Sequence, residues 1–248
     1  MLRVGRIPYL NCEPFFHRLT GVELVDLIPR RLGEAMAAGR LDAGPLSLMD
    51  YLRIESELTP LPYGIGCPTD ARSVLLFSDR PLSSLGGARV GITGETSTSV
   101  ELLRVLLALR HGAEPAAWVA AEEPCDAVLL IGDQAIRRAT GGPPAPHVID
   151  LGLEWREWTG LPFVFARWAV ASRVPARERR AFERALDGAL DLGMAALPEI
   201  AARRRDLGWS AAQIASYLRN FAFRLGPDEE KGAAEFVRLR GQIGPRPC

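Results

Sequence analysis

The stretch Gly91-Ile-Thr-Gly-Glu-Thr-Ser-Thr-Ser-Val sets four hydroxyl side chains, Thr96, Ser97, Thr98 and Ser99, between a strand-like run and an apolar helical run. Hydroxyls, the unpaired backbone N–H groups of a first helical turn and the positive end of the helix together suit a carboxylate or phosphate. An ordinary Ser/Thr cap explains one such residue, and four in a row exceed what capping needs. The Gly-Lys-Ser/Thr of a Walker loop is absent.

Asp133 occupies a comparable place in Ile131-Gly-Asp133, after a strand-like run and before a helical one, as a cap or as a carboxylate facing a site. Tyr9-Leu-Asn11 forms a strand-to-helix turn with Pro14 behind it, and Pro45-Leu-Ser47 repeats that geometry. Asn11 by type is a turn residue, but in a turn that faces a site its amide can bind substrate. His17, His111 and His147 show no metal-ligand spacing and no Ser or Cys nucleophile motif, and Gly-x-Ser-x-Gly, HExxH and GxGxxG are all missing. No metal is expected. Trp155, Trp158, Phe163, Phe165 and Trp168 read as core, although Trp155 and Trp158, which precede Gly160-Leu-Pro, could also wall a cleft.

Composition narrows the partners. The 248 residues carry 30 Lys+Arg and 30 Asp+Glu, a formal charge of zero, so neither a nucleic-acid surface nor a polybasic membrane face is expected. Hydrophobic residues at 48% and charged ones at 24% describe a globular chain long enough for one large domain or two small ones. Lys231, the only lysine, lies in a charged stretch suited to the surface, which disposes of Schiff-base chemistry. Cys12, Cys67, Cys125 and Cys248 make no CxxC pair, arguing against a zinc site or a disulfide framework. The N-terminus enters a strand pattern at once and no apolar run approaches about 18 residues, so the expectation is a soluble cytoplasmic protein.

The elements that must position these residues follow an α/β rhythm with largely parallel strands. Strands are expected at 2–7, 22–28, 41–46, 73–78, 89–92, 127–131, 147–151 and 163–171. Helices are expected at 13–19, 29–38, from Ser47 through Tyr51, and at 98–110, 133–139, 176–197, 210–218 and 227–240. Three helices after the last strand cannot extend the sheet, and they are expected to pack on the first unit. The result is a discontinuous domain, 1–83 plus 169–248, with a second domain, 84–168, inserted between two crossings. A cleft between two such lobes, where strand ends and helix N-termini meet, is the expected place for a small anion.

Six segments carry a resemblance. They are Arg6-Ile-Pro-Tyr-Leu-Asn-Cys-Glu-Pro-Phe, Gly39-Arg-Leu-Asp-Ala-Gly-Pro-Leu-Ser, Ser73-Val-Leu-Leu-Phe-Ser, Thr96-Ser-Thr-Ser-Val, Leu130-Ile-Gly-Asp-Gln-Ala and Asp150-Leu-Gly-Leu-Glu-Trp-Arg-Glu-Trp-Thr-Gly-Leu-Pro-Phe-Val-Phe-Ala. In this order, over roughly two thirds of the chain, they resemble the chorismate dehydratase family of the futalosine route to menaquinone. The resemblance implies a two-lobed, periplasmic-binding-protein-like (type II) α/β fold in a protein that is not an exported transporter component. It implies removal of water from chorismate to give 3-[(1-carboxyvinyl)oxy]benzoate, with no cofactor, by a monomer or homodimer acting on a small-molecule substrate.

By the same resemblance Asn11 is essential, as an orienting group because an amide is a poor base. The base is then Asp133 or the substrate's own enolpyruvyl carboxylate, with the second preferred. Ser73, Ser97, Thr98 and Ser99 are expected to bind carboxylate or hydroxyl groups, with Tyr9, Ser47 and Trp158 alongside. Arg72 departs from the small or apolar residue expected before Ser73, either as an extra carboxylate clamp or as a surface residue, the surface reading being preferred. The rival readings are the sibling lyase that releases 1,4-dihydroxy-6-naphthoate and relies on a histidine, for which His147 is the candidate, and a solute-binding protein without turnover.

Overall fold

Alternating apolar runs and amphipathic stretches become strands and helices in the computed structural model, which describes residues 1–244. In chain order β1 (Arg3–Arg6) leads through a 3-10 turn (Leu10–Cys12) into α1 (Glu13–Phe16), followed by β2 (Glu23–Asp26), α2 (Pro29–Ala37), β3 (Ala43–Ser47) and α3 (Leu48–Arg53). Then come β4 (Leu58–Cys67), β5 (Val74–Ser78), β6 (Arg89–Ile92), α4 (Thr98–Val105), β7 (Ala117–Ala120), β8 (Ala127–Ile131), α5 (Gly132–Gly141), β9 (His147–Asp150) and α6 (Leu151–Thr159). β10 (Phe163–Ala171), α7 (Ala176–Ala195), α8 (Leu197–Arg203), α9 (Ala211–Arg219), β11 (Ala222–Arg224) and α10 (Pro227–Arg240) complete the described chain.

These elements form a six-stranded sheet, β11-β4-β10-β3-β1-β2, and a five-stranded sheet, β7-β6-β8-β5-β9. Two compact units result among the described residues, 1–65 with 165–225 and 66–164 with 226–244, and the chain passes between them within β4, within β10 and after β11. The boundaries differ from the expected ones. β5 belongs to the second unit because it pairs with both β8 and β9. The expected run of parallel strands also gives way to mixed sheets, since β5 is antiparallel to its two neighbours and β10 is antiparallel to β3.

Five elements escaped the sequence reading: β4, β7, β11, α6 and α8. In β4 the punctuation of Pro60, Pro62, Gly64 and Gly66 hid an alternation in which Leu61, Tyr63, Ile65 and Cys67 are buried while both prolines are exposed. The three-residue β11 is too short to show a period. The expectation that all three C-terminal helices pack on the first unit fails for the last of them. α10 lies in the second unit, where Phe236 is fully buried with its ring 6.1 Å from Trp155 and 5.0 Å from Phe163.

In the first unit Phe15 is the centre of an aromatic core, 5.3 Å from Trp168 and 5.4 Å from Phe223. The contact that seats α1, and with it the Asn11 turn, is backbone against helix: a Cβ at Gly193 of α7 would lie 2.0 Å from the Pro14 carbonyl oxygen. Only a residue without a side chain permits that approach. Gly193→Ala must separate the helices, and a loss of about 1–3 kcal/mol, the usual range for overpacking, is expected in thermal or urea unfolding. Gly188→Ala, on the exposed side of the same helix with nothing within 4 Å of the added carbon, should be neutral or mildly stabilising.

Candidate functional site

Within the second unit β6 and β7 run parallel to β8, and β5 runs against β8 and β9, so the carboxyl ends of β6, β8 and β9 share one edge with the start of β5. Ile131 pairs with Val74, and Asp150 with Leu75, which fixes that alignment. α4, α5 and α6 all begin at this edge. Their positive ends therefore gather there with Ser73, Thr93, Glu95, Thr96, Ser97, Thr98, Ser99, Asp133 and Asp150. Such an edge stabilises anionic groups without any net basic charge.

Each side chain has a definable task. Ser73 is fully buried, its hydroxyl donates to the Ala71 carbonyl at 3.2 Å, and its own carbonyl accepts from Gly132 N at 2.7 Å. Gly132, with φ of 57°, makes the abrupt turn from strand to helix that brings Asp133 into the first turn of α5. Asp133 is buried, and the N-cap is Ile131, so the capping alternative for Asp133 falls away. At α4 the capping oxygen is Thr96 Oγ1, which accepts from Ser99 N at 3.1 Å. The N-cap residue itself, Ser97, makes no side-chain capping bond, while Thr98 and Ser99 lie buried in the first turn.

Two groups at this edge were missed from sequence. Asp150 is the acceptor for four backbone N–H groups: Oδ1 takes Ala71 at 3.0 Å, Gly152 at 2.9 Å and Leu153 at 3.1 Å, and Oδ2 takes Arg72 at 2.6 Å. Burial pushes its carboxyl above the ordinary carboxylate range, against the lowering effect of those donors. Glu95 is the other. Thr93 Oγ1 donates to Gln134 Oε1 at 3.2 Å and lies 3.4 Å from Glu95 N, and Gln134 hydrogen-bonds the Glu95 carboxyl. Desolvation, and the Asp133 charge nearby, raise the Glu95 carboxyl despite that bond. The signal available in sequence was only an acidic residue in the loop ahead of the hydroxyls.

Other candidates lie elsewhere in this unit. Trp158 is near the C-terminal end of α6, roughly 10 Å along the helix from its first residue at 1.5 Å per residue, and it packs edge-on against Trp155 at 6.1 Å. Arg72 adopts a left-handed φ of 53° and its Nε bonds Asp70 at 2.7 Å, so its side chain is already engaged. His147 opposes Ser78 at the far end of β9 from Asp150, and His111 pairs with Glu154 at 3.1 Å beyond α4. Neither histidine is at the helix-start edge. Burial, together with Asp150 and Asp70, pushes the Cys67 thiol far up, which leaves it inert as a nucleophile.

In the first unit β1, β2 and β3 are parallel, and β10 enters antiparallel beside β3 with Ala166 opposite Ser47. Tyr9 is buried, and its carbonyl closes the 3-10 turn by accepting from Cys12 N at 3.0 Å. Asn11 Oδ1 is buried without a hydrogen-bond partner in the protein. An orphaned buried acceptor costs about 1–3 kcal/mol, a cost that a ligand donor would remove. Ser47, by contrast, is committed. Its hydroxyl donates to Asp50 Oδ2 at 2.7 Å and accepts from Asp50 N at 3.2 Å, capping α3. Sequence also missed Arg167, the one cation in the apolar run of β10, whose guanidinium lies 5.5 Å from the Tyr51 ring centre.

A family model described as menaquinone biosynthesis matches residues 2–242. The chain belongs to this family. Among curated proteins it is 32% identical to chorismate dehydratase of Thermus thermophilus, over 96% of this chain and 94% of that one. It is 25% identical to the 1,4-dihydroxy-6-naphtoate synthase of the same organism, over 99% and 97%. This member of the menaquinone-biosynthesis family is thus a chorismate dehydratase homologue. Among solved structures it is similar to protein AF1704 from Archaeoglobus fulgidus, with a TM-score of 0.79 at 18% identity over 98% of each chain. The periplasmic aliphatic sulphonate binding protein SsuA from Escherichia coli superposes with a TM-score of 0.65 at 20% identity over 97% of this chain and 85% of that one. The fold is periplasmic-binding-protein-like.

The placement of this edge depends on Asp150. Asp150→Ala leaves four N–H groups without their acceptor and should cost about 2 kcal/mol or more in urea unfolding, above the loss of an ordinary cap. Asp150→Asn keeps one acceptor oxygen and should lose less.

Proposed function

We propose that this protein is a chorismate dehydratase: a carbon–oxygen hydro-lyase of the cytoplasm that converts chorismate to 3-[(1-carboxyvinyl)oxy]benzoate and water without a cofactor. The observation that carries the reading is the unpaired, buried Oδ1 of Asn11, in the turn where the family resemblance puts the essential amide. Dehydration ends in an aromatic ring, so the driving force lies in the substrate. The protein has to orient it, stabilise developing charge and provide for one proton leaving carbon.

Chorismate carries two carboxylates and a ring hydroxyl. Asn11 Oδ1 accepts from the hydroxyl, and its amide nitrogen is a donor suited to a carboxylate. Ser97 and the first turn of α4 suit a carboxylate, and in the first unit Arg167 is a cation of the kind that binds one. The carbon-bound proton goes to the substrate's own enolpyruvyl carboxylate, held in place by Asn11, with Asp133 as the alternative base. The naphthoate-releasing lyase reading is weaker because it needs a histidine, and His147 stands at the opposite end of β9 from the helix starts.

Purified protein incubated with chorismate alone should release the aromatic enol ether. Release of naphthoate from the cyclic futalosine substrate, with no product from chorismate, would transfer the assignment to the lyase. Asn11→Ala should cut kcat by about a hundredfold or more, on the scale of a lost polar transition-state contact, while leaving the melting temperature unchanged or raised, because its Oδ1 bonds nothing in the protein. Retained turnover would remove its role. Asp133→Asn should keep both chorismate affinity and turnover; lost turnover with intact affinity would make Asp133 the base.

A further inference from the structure

Behind the hydroxyls of α4 lies a group of charges with more cation than its own pairing requires. Glu101, the fourth residue of α4, is held between two arginines. Arg104 Nη1 donates to its Oε2 at 2.8 Å, and Nε of Arg240, the last residue of α10, donates to the same oxygen. Each guanidinium has a further acceptor, the Gly244 carbonyl for Arg104 at 2.8 Å and the Ile243 carbonyl for Arg240 at 3.3 Å. Among the described residues no other carboxylate pairs with either arginine, so the three side chains together hold one positive charge in excess. We propose, building on the chorismate reading, that Arg104 and Arg240 are binding determinants acting at a distance, whose excess charge strengthens the hold of the α4 start on a substrate carboxylate.

Three features of the setting support this role. The first is burial. The Arg104 side chain is 8% exposed and that of Glu101 12%, so their field passes through protein and is little screened by salt. The second is place. Glu101 follows Ser97 by four residues, on the same face of the helix and about 6 Å along its axis, and helical side chains lean toward the N-terminus.

The third is the state of the hydroxyls in front of the group. Thr96 is used as a cap, whereas Ser99 is 5% exposed and, among the described residues, its hydroxyl and that of Ser97 bond no protein group. A polar group buried to that extent without a partner points to a ligand. Glu95, Asp133 and Asp150 belong to the same edge, so an incoming carboxylate meets acidic side chains there. A cation excess behind the first turn of α4 offsets them.

The test is steady-state kinetics with chorismate on wild type, Arg240→Gln, Arg240→Lys and Glu101→Gln, with the melting temperature of each. Arg240→Gln leaves one cation for one anion and should raise KM about two- to fivefold with kcat little changed, the scale of a charge acting at a helix end. Arg240→Lys keeps the charge and should restore most of the wild-type KM. Glu101→Gln removes the anion and should lower KM by a similar factor, even though it takes the carboxylate from buried Arg104 and so lowers the melting temperature. Bracing of α4 without an electrostatic part would move both Gln variants toward weaker binding. A raised KM in Glu101→Gln, an unchanged KM in Arg240→Gln, or equal impairment in Arg240→Lys and Arg240→Gln overturns the charge role and leaves the dehydratase standing; no product from the wild type overturns both.

Discussion

Four backbone N–H groups converge on the Asp150 carboxylate, two from the Ala71-Arg72 turn and two from the first turn of α6. That single side chain joins the turn ahead of β5 to the helix that follows β9, and so holds Ser73, whose carbonyl in turn receives Gly132 N. From Gly132 the chain enters α5 with Asp133 and Gln134 in place, and Gln134 reaches across to Thr93 and Glu95. The polar edge of the second sheet is therefore a chain of dependencies that begins at one half-buried carboxylate. The charge is tolerated there because backbone donors replace the water it loses.

A protein with no net charge can still gather anions by this construction. The partial positive charges belong to helix ends and oriented amides, and they act only over the first turn. Global electrostatics consequently says little about the ligand. The same local economy explains why several hydroxyls expected to bind substrate have structural work: Ser47 caps α3, Thr96 caps α4 and Ser73 braces the turn before β5. What stands out beside them is Asn11, whose acceptor oxygen is left buried and unsatisfied. Native proteins retain such a cost where function requires it.

The candidate turns could be read in one dimension because strand-to-helix turns announce themselves through residue type. Asn11, Ser97, Thr98, Ser99 and Asp133 all lie where a run of apolar residues gives way to polar ones ahead of a helix. Glu95, Asp150 and Arg167 were not legible, since their roles depend on partners far along the chain. Asp150 serves Ala71 and Arg72, Glu95 depends on Gln134 and Asp133, and Arg167 meets Tyr51. Trp158 is a residue of a distinctive motif that lies at the far end of its helix from the polar edge.

By itself the sequence determined the alternation of strands and helices, the family and the candidate turns, because periodicity and residue preference are local properties of the chain. It could not determine where one unit ends, that β5 and α10 belong with the second sheet, or which hydroxyls are already spent on caps. Those outcomes are decided by long-range pairing: strand register places β5 between β8 and β9, and the burial of Phe236 against Trp155 and Phe163 draws α10 away from the helices that precede it. Backbone hydrogen bonding and apolar burial across distant segments carry more free energy than any local preference, and only the folded chain brings those segments together.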